Sequence, residues 1–366
     1  MGSRWSEIGG NRAYVAVPES GSGPGLLIFS DEPASPASTA LADLYAEEGY
    51  VAVAVAANAA GAAAVIKTLP EVSGKIGAIG FGAGGTAAMD AATNGAADCA
   101  AVYYGTGIGA LADKAGRNGS PVMFHLPDSD GDLFNKLRPR FPEIEVFFYR
   151  GIKAGFAETG ANFNKSSSNL SYTRTLELLR RVLGPRYDLD KIWDHHTELE
   201  FAVRAAEETM TTMVPEPYVN HVPVMTGGTG FDQTLQFYKN HFIPTSPKDS
   251  ALIPISRTVG VDRVADEMLF CFTHDVEIDW MLPGIKPTGK YVQIPLVAIV
   301  RFRGDKIYNE HIYWDQASVL VQIGVLDARL YPTAGVETAK KAFDENLPSN
   351  ALMARWKDNK RKATAT

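Results

Sequence analysis

GFGAGG, residues 80–85, follows the apolar run KIGAIG (75–80) and precedes the small-residue run TAAMDAA (86–92). This order predicts a strand, a sharp glycine turn and then a helix. Similar apolar runs recur on both sides of the turn and predict further buried strands: AYVAVP (13–18), GLLIFS (25–30), YVAVAVA (50–56), KIGAIGF (75–81), AAVYYG (100–105), PVMFHL (121–126) and EVFFYR (145–150). Near-continuous apolar strands that alternate with helices are typical of a parallel sheet covered on both faces.

The segments between these strands predict the covering helices at ASTALADLYAEEG (37–49), AGAAAVIKTLPE (60–71) and GGTAAMDAATNG (84–95). Apolar residues recur with a helical period from Arg174 to Leu183, which predicts the helix that closes this first domain. The pattern changes after the segment GPR (184–186). We therefore expect a domain boundary at about residues 184–188, with an α/β domain over 1–186.

The second half of the chain begins with helical patterns and continues with longer, alternating strands. One amphipathic helix is predicted over 189–212 and another over FDQTLQFYKNHF (231–242). Strands are predicted at ALIPISRTVGV (251–261), RVADEMLFCFTHDVEIDW (263–280), YVQIPLVAIVRFR (291–303) and KIYNEHIYWD (306–315). Helices followed by an antiparallel meander indicate an α+β domain, which we place at 187–345, with a C-terminal helix and basic tail over 346–366.

The bulk composition excludes several classes of function. The formal net charge of −7 argues against nucleic acid as a partner, and the only basic cluster is the tail KDNKRK (357–362). The N-terminal MGSRWSEIGG has no apolar core of a signal peptide, and the chain has no apolar run long enough to span a membrane. Cys99 and Cys271 lie in apolar contexts that suit buried, reduced thiols. We expect a soluble cytoplasmic protein that does not contact membranes.

A strand–turn–helix of the GFGAGG kind often carries a nucleophile, in the pattern G-x-S-x-G or its cysteine form. The segments ADLYAEEGYVAVAV (42–55), KIGAIGFGAGG (75–85), AAVYYGTGI (100–108), PVMFHLPDSD (121–130) and YRGIKAGFAETG (149–160) support this comparison. On these segments residues 13–183 resemble the dienelactone hydrolase family of α/β-hydrolases. The resemblance implies a parallel-sheet hydrolase fold and puts the nucleophile at Gly82, the acid at Asp130 and the histidine at Ala154.

Two of these three positions therefore lack the group that the chemistry needs. Gly82 has no side chain to form an acyl-enzyme, and Ala154 cannot accept a proton. His125 is a weak candidate for a substitute base, because it ends a strand beside prolyl and acidic residues. We expect a degenerate hydrolase triad and an inactive hydrolase domain, although a residual esterase activity or a retained ligand pocket stays open.

Four segments of the second half occur in a recognisable order: YVNHVPVMTGG (218–228), FTHDVEIDWMLPGIKPTGK (272–290), VAIVRFRGDKIYNEHIYWD (297–315) and ASVLVQIG (317–324). On these segments residues 189–331 resemble the SnoaL-like polyketide cyclases of the nuclear-transport-factor-two-like superfamily. The resemblance implies a cone-shaped α+β barrel with an apolar pocket, a homodimer, and an aspartate acting as acid and base. That aspartate maps onto Asp315.

The resemblance and the strand period together supply candidate pocket residues. Asp315 is either a pocket acid or a cap at the end of its strand, and His221 is either a pocket group or a core histidine. Simple alternation puts Tyr313 and His311 on the face of Asp315, and turns Glu310 away to pair with Arg301 or Arg303. The expected catalytic residues are Asp315, His221 and Tyr313, and the expected substrate-binding residues are His274, Asp279, Trp280 and His311.

No metal or cofactor is expected from the motifs. His195 and His196 are adjacent on a helix and face different directions, and neither Cys-x-x-Cys nor His-x-x-x-His occurs. GFGAGG lacks the acidic ribose ligand of a dinucleotide site. The expected function is thus cofactor-free proton transfer on a small apolar carbonyl compound, of the isomerase, cyclase or dehydratase type.

Two other functions remain open for the same pocket. Epoxide hydrolysis needs two aspartates around an arginine and a water, for which Asp315 and Asp279 with Arg257 or Arg301 are the candidates. A non-catalytic binding protein would hold a small molecule without turnover. The sequence does not choose the substrate.

Overall fold

The computed structural model describes residues 2–59, 61–105, 107–110, 112–116, 119–140 and 144–356. The chain divides into two compact units, Met1–Tyr187 and Asp188–Thr366. Each unit has its own sheet. The basic tail at 357–362 lies outside the described residues. In the described ranges, no helix has both the length and the apolar character needed to cross a membrane.

The first unit is built on an eight-stranded sheet. Its strands are β1 (Gly2–Ile8), β2 (Asn11–Val17), β3 (Gly23–Ser30), β4 (Val51–Ala56), β5 (Val72–Phe81), β6 (Cys99–Tyr103), β7 (Val122–Pro127) and β8 (Ile144–Tyr149). They lie in the order β1-β2-β4-β3-β5-β6-β7-β8. Strands β3 to β8 are parallel, but β1 and β2 form an antiparallel hairpin that joins the edge at β4. The sheet is therefore mixed, and not wholly parallel as expected.

The helices of this unit cover the parallel strands. They are α1 (Pro36–Glu47), α2 (Ala62–Ile66), α3 (Ala83–Thr93), α4 (Gly131–Leu137) and α5 (Lys165–Val182). Helix α3 follows β5 directly, as the glycine turn predicts, and buries Ala88 and Met89 in the core. Helix α5 starts nine residues before the predicted Arg174, at Lys165, with Asn164 as its N-cap. The polar start of α5 has no apolar period, so the sequence pattern detects only its second half.

The second unit carries a six-stranded sheet in the order β10-β9-β14-β13-β12-β11. Its strands are β9 (Met213–His221), β10 (Thr226–Thr229), β11 (Ala251–Val259), β12 (Arg263–Thr273), β13 (Tyr291–Arg303) and β14 (Lys306–Trp314). The meander from β11 to β14 is antiparallel, as predicted. Strand β9 adds to β14 in parallel, which makes this sheet mixed as well.

The helices of the second unit are α6 (Leu189–Glu198), α7 (Ala206–Thr211), α8 (Gly230–Phe237), α9 (Gln316–Gln322) and α10 (Glu337–Phe343). The single helix predicted over 189–212 is wrong, because a π-helical turn, Leu199–Val203, and the left-handed residue Arg204 (φ 61°) separate α6 from α7. A second π-helical turn, Tyr238–Phe242, extends α8. Such turns are rare and often lie at functional sites.

The loop between β12 and β13 replaces the end of a predicted strand. The prediction ran the strand to Trp280, but β12 ends at Thr273. The backbone of His274 pins the loop closed, since its N–H donates to the Lys290 carbonyl and its carbonyl accepts from the N–H of Gly289. The loop then buries apolar side chains, including Trp280. The C-terminal helix and basic tail predicted over 346–366 stay a prediction, because residues 354–356 are helical but the chain beyond Trp356 lies outside the described residues.

Candidate functional site

The glycine turn after β5 keeps the backbone of a nucleophile elbow without a nucleophile. Gly82 has φ 56° and ψ −121°, a conformation that strains residues with a side chain. Gly80 and Gly84 must be glycine, because an added Cβ would lie 1.9 Å from the Gly84 carbonyl oxygen and 2.2 Å from the Phe29 carbonyl oxygen, respectively. At Gly82 the nearest atom to an added Cβ would be an Asp31 carboxylate oxygen, 3.7 Å away. The elbow therefore has room for a side chain that the sequence does not provide.

Of the other two triad positions, the acid position keeps its carboxyl group and the histidine position has no base. Asp130 is partly exposed, and its carboxylate accepts a hydrogen bond from Ser129 at 3.0 Å. Ala154 is exposed and has no titratable group.

His125 is a structural residue of the core. Its ring nitrogens lie 2.9 Å from the Tyr149 hydroxyl and 3.0 Å from the Thr175 hydroxyl, and it is fully buried. Burial, with a smaller effect from Arg174, lowers its pKa to about 3, so it is neutral at pH 7. Because both nitrogens are bonded, this ring is not free to serve as a substitute base.

In the second unit, aromatic and aliphatic side chains surround a cavity of about 40 Å³. That space holds a few water molecules. The walls are Trp193, Thr197, Glu200, Phe201, His221, Phe242, Leu252, Met268, Phe270, Trp280, Leu296, Ala298, Glu310 and Ile312. Three of them, Thr197, Phe201 and Leu252, are partly exposed and mark the mouth of the cavity, whereas the others are buried.

Asp315 does not reach this cavity, so its prediction as a pocket acid is wrong. It is exposed and caps α9: its carboxylate accepts from the Ala317 N–H at 3.0 Å and from the Ser318 hydroxyl at 2.8 Å. The alternative interpretation, a cap at the end of the strand, is the observed one. The chain leaves the sheet after Trp314 because the helix starts at Gln316.

The face of β14 that points inward is the opposite of the predicted one. Glu310, Ile312 and Trp314 are buried, whereas Tyr313 is 42% exposed and His311 contacts Tyr313 edge-on. Tyr313 and His311 share the more exposed face with Asp315, as simple alternation predicts, but this face points outward and not into the cavity. Tyr313 and His311 therefore lie outside the cavity, as corrections to the predicted site.

His221 and Trp280 do line the cavity, as the sequence predicts. The His221 ring is 4% exposed and packs 4.8 Å, between ring centroids, from Trp280. Its Nδ1 lies 3.3 Å from the Thr226 carbonyl oxygen, so Nδ1 carries the proton and Nε2 is the acceptor. Burial lowers the pKa of His221 to about 4, although the nearby Glu310 charge opposes this shift.

A buried cluster of His196, Glu200, Glu310 and Tyr238 adjoins the cavity, and we call it the carboxylate–imidazole cluster. The Nε2 atom of His196 lies 3.2 Å from carboxylate oxygens of both Glu200 and Glu310. The Tyr238 hydroxyl donates to the Glu310 carboxylate at 3.3 Å. Glu310 was expected to pair with an arginine across the hairpin, and its position in this cluster corrects that expectation.

The charges in the cluster shift one another's protonation. Burial alone would lower the pKa of His196, but the carboxylates of Glu200 and Glu310 outweigh it and raise the pKa to about 10. Burial raises the pKa of Glu200, and the His196 charge partly offsets this. Burial and the same carboxylates also raise the pKa of Tyr238. Because Glu200 and Glu310 line the cavity, this charged cluster forms its polar end.

The remaining predicted substrate-binding residues lie elsewhere. His274 is fully buried with Nδ1 3.1 Å from the Thr288 hydroxyl, and it does not line the cavity. Asp279 pairs with His241 at 2.9 Å on the surface. Neither residue reaches the cavity walls, which corrects both predictions.

The aspartates and arginines that epoxide hydrolysis would need are likewise dispersed. Arg257 is held by Asp266 at 2.8 Å, and Arg301 lies 3.5 Å from Asp262. None of these four residues lines the cavity. Asp279 and Asp315 are not brought together around a common arginine.

The sequence contains a signal for the carboxylate–imidazole cluster, which a comparison of His196 with only the adjacent His195 misses. His196 and Glu200 are spaced i, i+4, which puts their side chains on one helix face. The inward position of Glu310 could be predicted from the strand alternation, since Glu310 shares a face with the apolar Ile312 and Trp314, whereas His311 and the exposed Tyr313 lie on the other face. Tyr238 depends on the fold of α8 against the sheet, for which the sequence has no local pattern.

Comparison with known proteins finds a family match within the first half of the chain. Residues 54–183 match the dienelactone hydrolase family, which confirms the predicted resemblance for this segment. Carboxymethylenebutenolidase 1 from Cupriavidus pinatubonensis is 28% identical over 127 residues, covering 32% of this chain and 54% of that protein. The chain spans about half the length of the curated relatives it matches.

Two solved structures illustrate the likeness of each part. A dienelactone hydrolase-like promiscuous phosphotriesterase from metagenomic libraries covers 50% of this chain and 99% of its own, with 18% identity and a TM-score of 0.42. A SnoaL-like polyketide cyclase from Jannaschia sp. matches the C-terminal part. It covers 39% of this chain and 99% of its own, with 16% identity and a TM-score of 0.30.

Proposed function

We propose that the second unit is an enzyme that moves protons on a small, mostly apolar carbonyl compound bound in its cavity. The observation that carries this proposal is a cavity with aromatic walls on which a neutral imidazole, His221, and a charged carboxylate–imidazole cluster converge. Apolar walls with a few polar groups are the common design of small-molecule sites. Isomerisation, cyclisation and dehydration or hydration all contain the proposed step.

His221 replaces Asp315 as the proposed base. Its Nδ1–H is held by the Thr226 carbonyl, so Nε2 has the free electron pair. The low pKa of about 4 keeps the ring neutral at pH 7 and able to accept a proton. A base this weak works only on an acidic C–H bond, because proton transfer is efficient when the two pKa values are close.

A C–H bond between two carbonyl groups is among the most acidic C–H bonds of neutral carbonyl compounds, so it comes nearest to this requirement. His221 takes that proton, the electron pair of the C–H bond forms a C=C bond, and the negative charge moves to a carbonyl oxygen. Return of the proton at another position gives an isomer, and attack of the same carbon on a further carbonyl closes a ring. Polyketide-like molecules contain such dicarbonyl units.

Entry of such a molecule requires a wall to move, because about 40 Å³ holds only a few waters. Phe201 is the partly exposed aromatic residue of the mouth, and it lies in the π-helical turn Leu199–Val203. Its ring contacts Phe242 and Phe270 edge-on, at centroid distances of 5.6 and 6.1 Å. We infer that rotation of Phe201 admits the substrate.

We further propose that the first unit performs no ester hydrolysis. Gly82 offers no nucleophile and Ala154 no base, which removes acyl-enzyme chemistry. The retained elbow backbone has a structural reason, since Gly80 of β5 lies against the Gly84 backbone of α3, and Gly84 lies against the Phe29 backbone of β3, at distances that no side chain allows.

The test uses ethyl 2-methylacetoacetate, which has one C–H bond between two carbonyl groups. Exchange of this hydrogen in D₂O is followed by proton NMR with the full chain, His221→Gln and His311→Gln. Loss of a general base predicts about a 10²-fold or larger fall in catalysed exchange for His221→Gln. His311→Gln changes a histidine outside the cavity lining and should exchange at the wild-type rate. Equal exchange in both variants would refute the assignment, and binding without exchange would favour a non-catalytic binding protein.

A further inference from the structure

The carboxylate–imidazole cluster brings four polar atoms to one point inside the protein. His196, Glu200 and Glu310 are 0%, 5% and 2% exposed, and each offers one ligand atom, all within 4.8 Å of one another. Tyr238 adds a hydroxyl 3.4 Å from the same His196 nitrogen. A buried convergence of this kind needs positive charge at its centre, because two carboxylates face each other there.

The spacing of these atoms differs from that of a compact ion pair. Charge-assisted N–H···O bonds are usually about 2.7–2.9 Å long. The His196 Nε2 atom lies 3.2 Å from an oxygen of Glu200 and equally 3.2 Å from an oxygen of Glu310. One hydrogen on Nε2 cannot point at both oxygens. Two ligands bound at 2.0–2.2 Å to one metal ion, in tetrahedral or octahedral geometry, lie roughly 3.0–3.4 Å apart, which matches the distance from His196 Nε2 to each glutamate oxygen.

A hydrogen bond from Nδ1 of His196 to Thr212 fixes the orientation of the His196 ring. The Thr212 hydroxyl donates to the Thr209 carbonyl at 2.7 Å, so its oxygen must accept at the 2.6 Å contact with His196 Nδ1. Nδ1 therefore carries a proton, and Nε2 is the nitrogen presented to the carboxylates. Ligating histidines are typically held in this way, with the second ring nitrogen donating to a fixed acceptor.

We propose that His196, Glu200 and Glu310 bind a divalent transition-metal ion, with Tyr238 donating a hydrogen bond to the ligating Glu310. One imidazole and two carboxylates suit Zn²⁺, Mn²⁺, Fe²⁺ or Co²⁺ better than Mg²⁺, which prefers oxygen ligands. Three protein ligands leave coordination positions open, and Glu200 and Glu310 face the cavity. The proposal that the ion binds depends only on the geometry of the carboxylate–imidazole cluster and not on the proposed function.

The role of the ion deepens the proposed function and rests on it. The ion displaces the Nε2 proton of His196 and takes over the positive charge that the protonated ring supplies in its absence. A carbonyl oxygen that gains negative charge while His221 takes the proton then lies next to a divalent cation. A metal ion between the two carboxylates supplies the positive charge, and it also acidifies the C–H bond for a weak base. The substrate class then narrows to dicarbonyl compounds that chelate a metal through both oxygens.

Metal binding is tested on the full chain after treatment with EDTA and its removal. Titration with Co²⁺, followed by visible absorption, and with Zn²⁺, followed by calorimetry, should both show one ion per chain. Glu310→Gln and Glu200→Gln should each weaken binding by about 100-fold or more, and Thr212→Val by about 10–100-fold. The matched control is Glu198→Gln, an exposed glutamate of the same helix, which should bind as wild type does.

Two results would overturn the inference: the absence of stoichiometric binding, or binding that persists in Glu310→Gln and Glu200→Gln. Circular dichroism identifies a variant that fails to fold, and the milder Thr212→Val then decides. Hydrogen–deuterium exchange of ethyl 2-methylacetoacetate separates this inference from the proposed function. Metal binding without exchange supports the site and refutes the function, whereas exchange unaffected by EDTA, in a chain that binds no metal, supports the function and refutes the site.

Discussion

Replacing His196 by glutamine should destabilise the second unit by about 3–5 kcal/mol at pH 7 in the presence of EDTA. The imidazole nitrogen lies 3.2 Å from an oxygen of each carboxylate. At this distance the attraction between one positive and one negative unit charge is roughly 5 kcal/mol at an effective dielectric constant near 20. Without that charge the glutamates must repel each other or take up protons. Protonating one glutamate at pH 7 costs about 4 kcal/mol, which matches the usual 3–5 kcal/mol for a broken buried pair.

The adjacent residue provides a matched control for this change. His195 is exposed, and its Nδ1 lies 3.9 Å from a Glu198 oxygen, so His195→Gln should alter stability by less than about 0.5 kcal/mol. Guanidinium unfolding followed by tryptophan fluorescence reports mainly on the second unit, because only Trp5 lies in the first. A difference below about 1 kcal/mol between the two variants would refute the charge balance described for the cluster.

Three further predictions concern other parts of the chain. His125 has a folded pKa of about 3, below its unfolded value, so its contribution to stability is complete above about pH 6.5 and is lost as pH falls, by up to about 1.4 kcal/mol per unit. Urea unfolding at pH 7 and pH 5 should show that His125→Gln loses less free energy of unfolding between these pH values than the wild type does. An equal loss in both proteins would contradict this. Gly82→Ser meets no clash but a strained backbone, so it should cost about 1–3 kcal/mol in thermal unfolding. It should not raise hydrolysis of p-nitrophenyl acetate, and a clear gain would contradict the loss of the base at Ala154. Phe201→Ala should raise exchange of benzyl relative to ethyl 2-methylacetoacetate several-fold, and an unchanged ratio would exclude Phe201 as the gate.

The fold of the first unit follows from the sequence where burial is complete. Seven continuous apolar runs correspond to β2–β8, and six of these strands, β3–β8, are parallel strands covered on both faces, which need apolar residues throughout. Strand β1 escapes detection since its residues GSRWSEI are largely exposed and carry no apolar alternation. It exists through its pairing with β2, a non-local interaction that periodicity does not report.

The candidate site was predictable only in part. His221 and Trp280 were placed in the cavity correctly, whereas the resemblance put Asp315 in the pocket and so assigned the wrong face of β14 to it. Side chains alternate between the two faces of a strand, so the placement of Asp315 inside the pocket put Glu310 outside it. The short-range signal of His196 and Glu200, four residues apart, was available, but their partners Glu310 and Tyr238 come from distant parts of the chain. Pairing of two copies of the chain stays a prediction.

The most direct test of the central claim compares catalysed exchange of ethyl 2-methylacetoacetate in His221→Gln and Asp315→Asn, prepared side by side. Asparagine caps a helix about as well as aspartate, so Asp315→Asn keeps the fold and, on this account, the wild-type rate. His221→Gln should lose about 10²-fold or more. The reverse result, loss in Asp315→Asn with exchange retained in His221→Gln, would contradict the claim that the chemistry resides in the aromatic cavity.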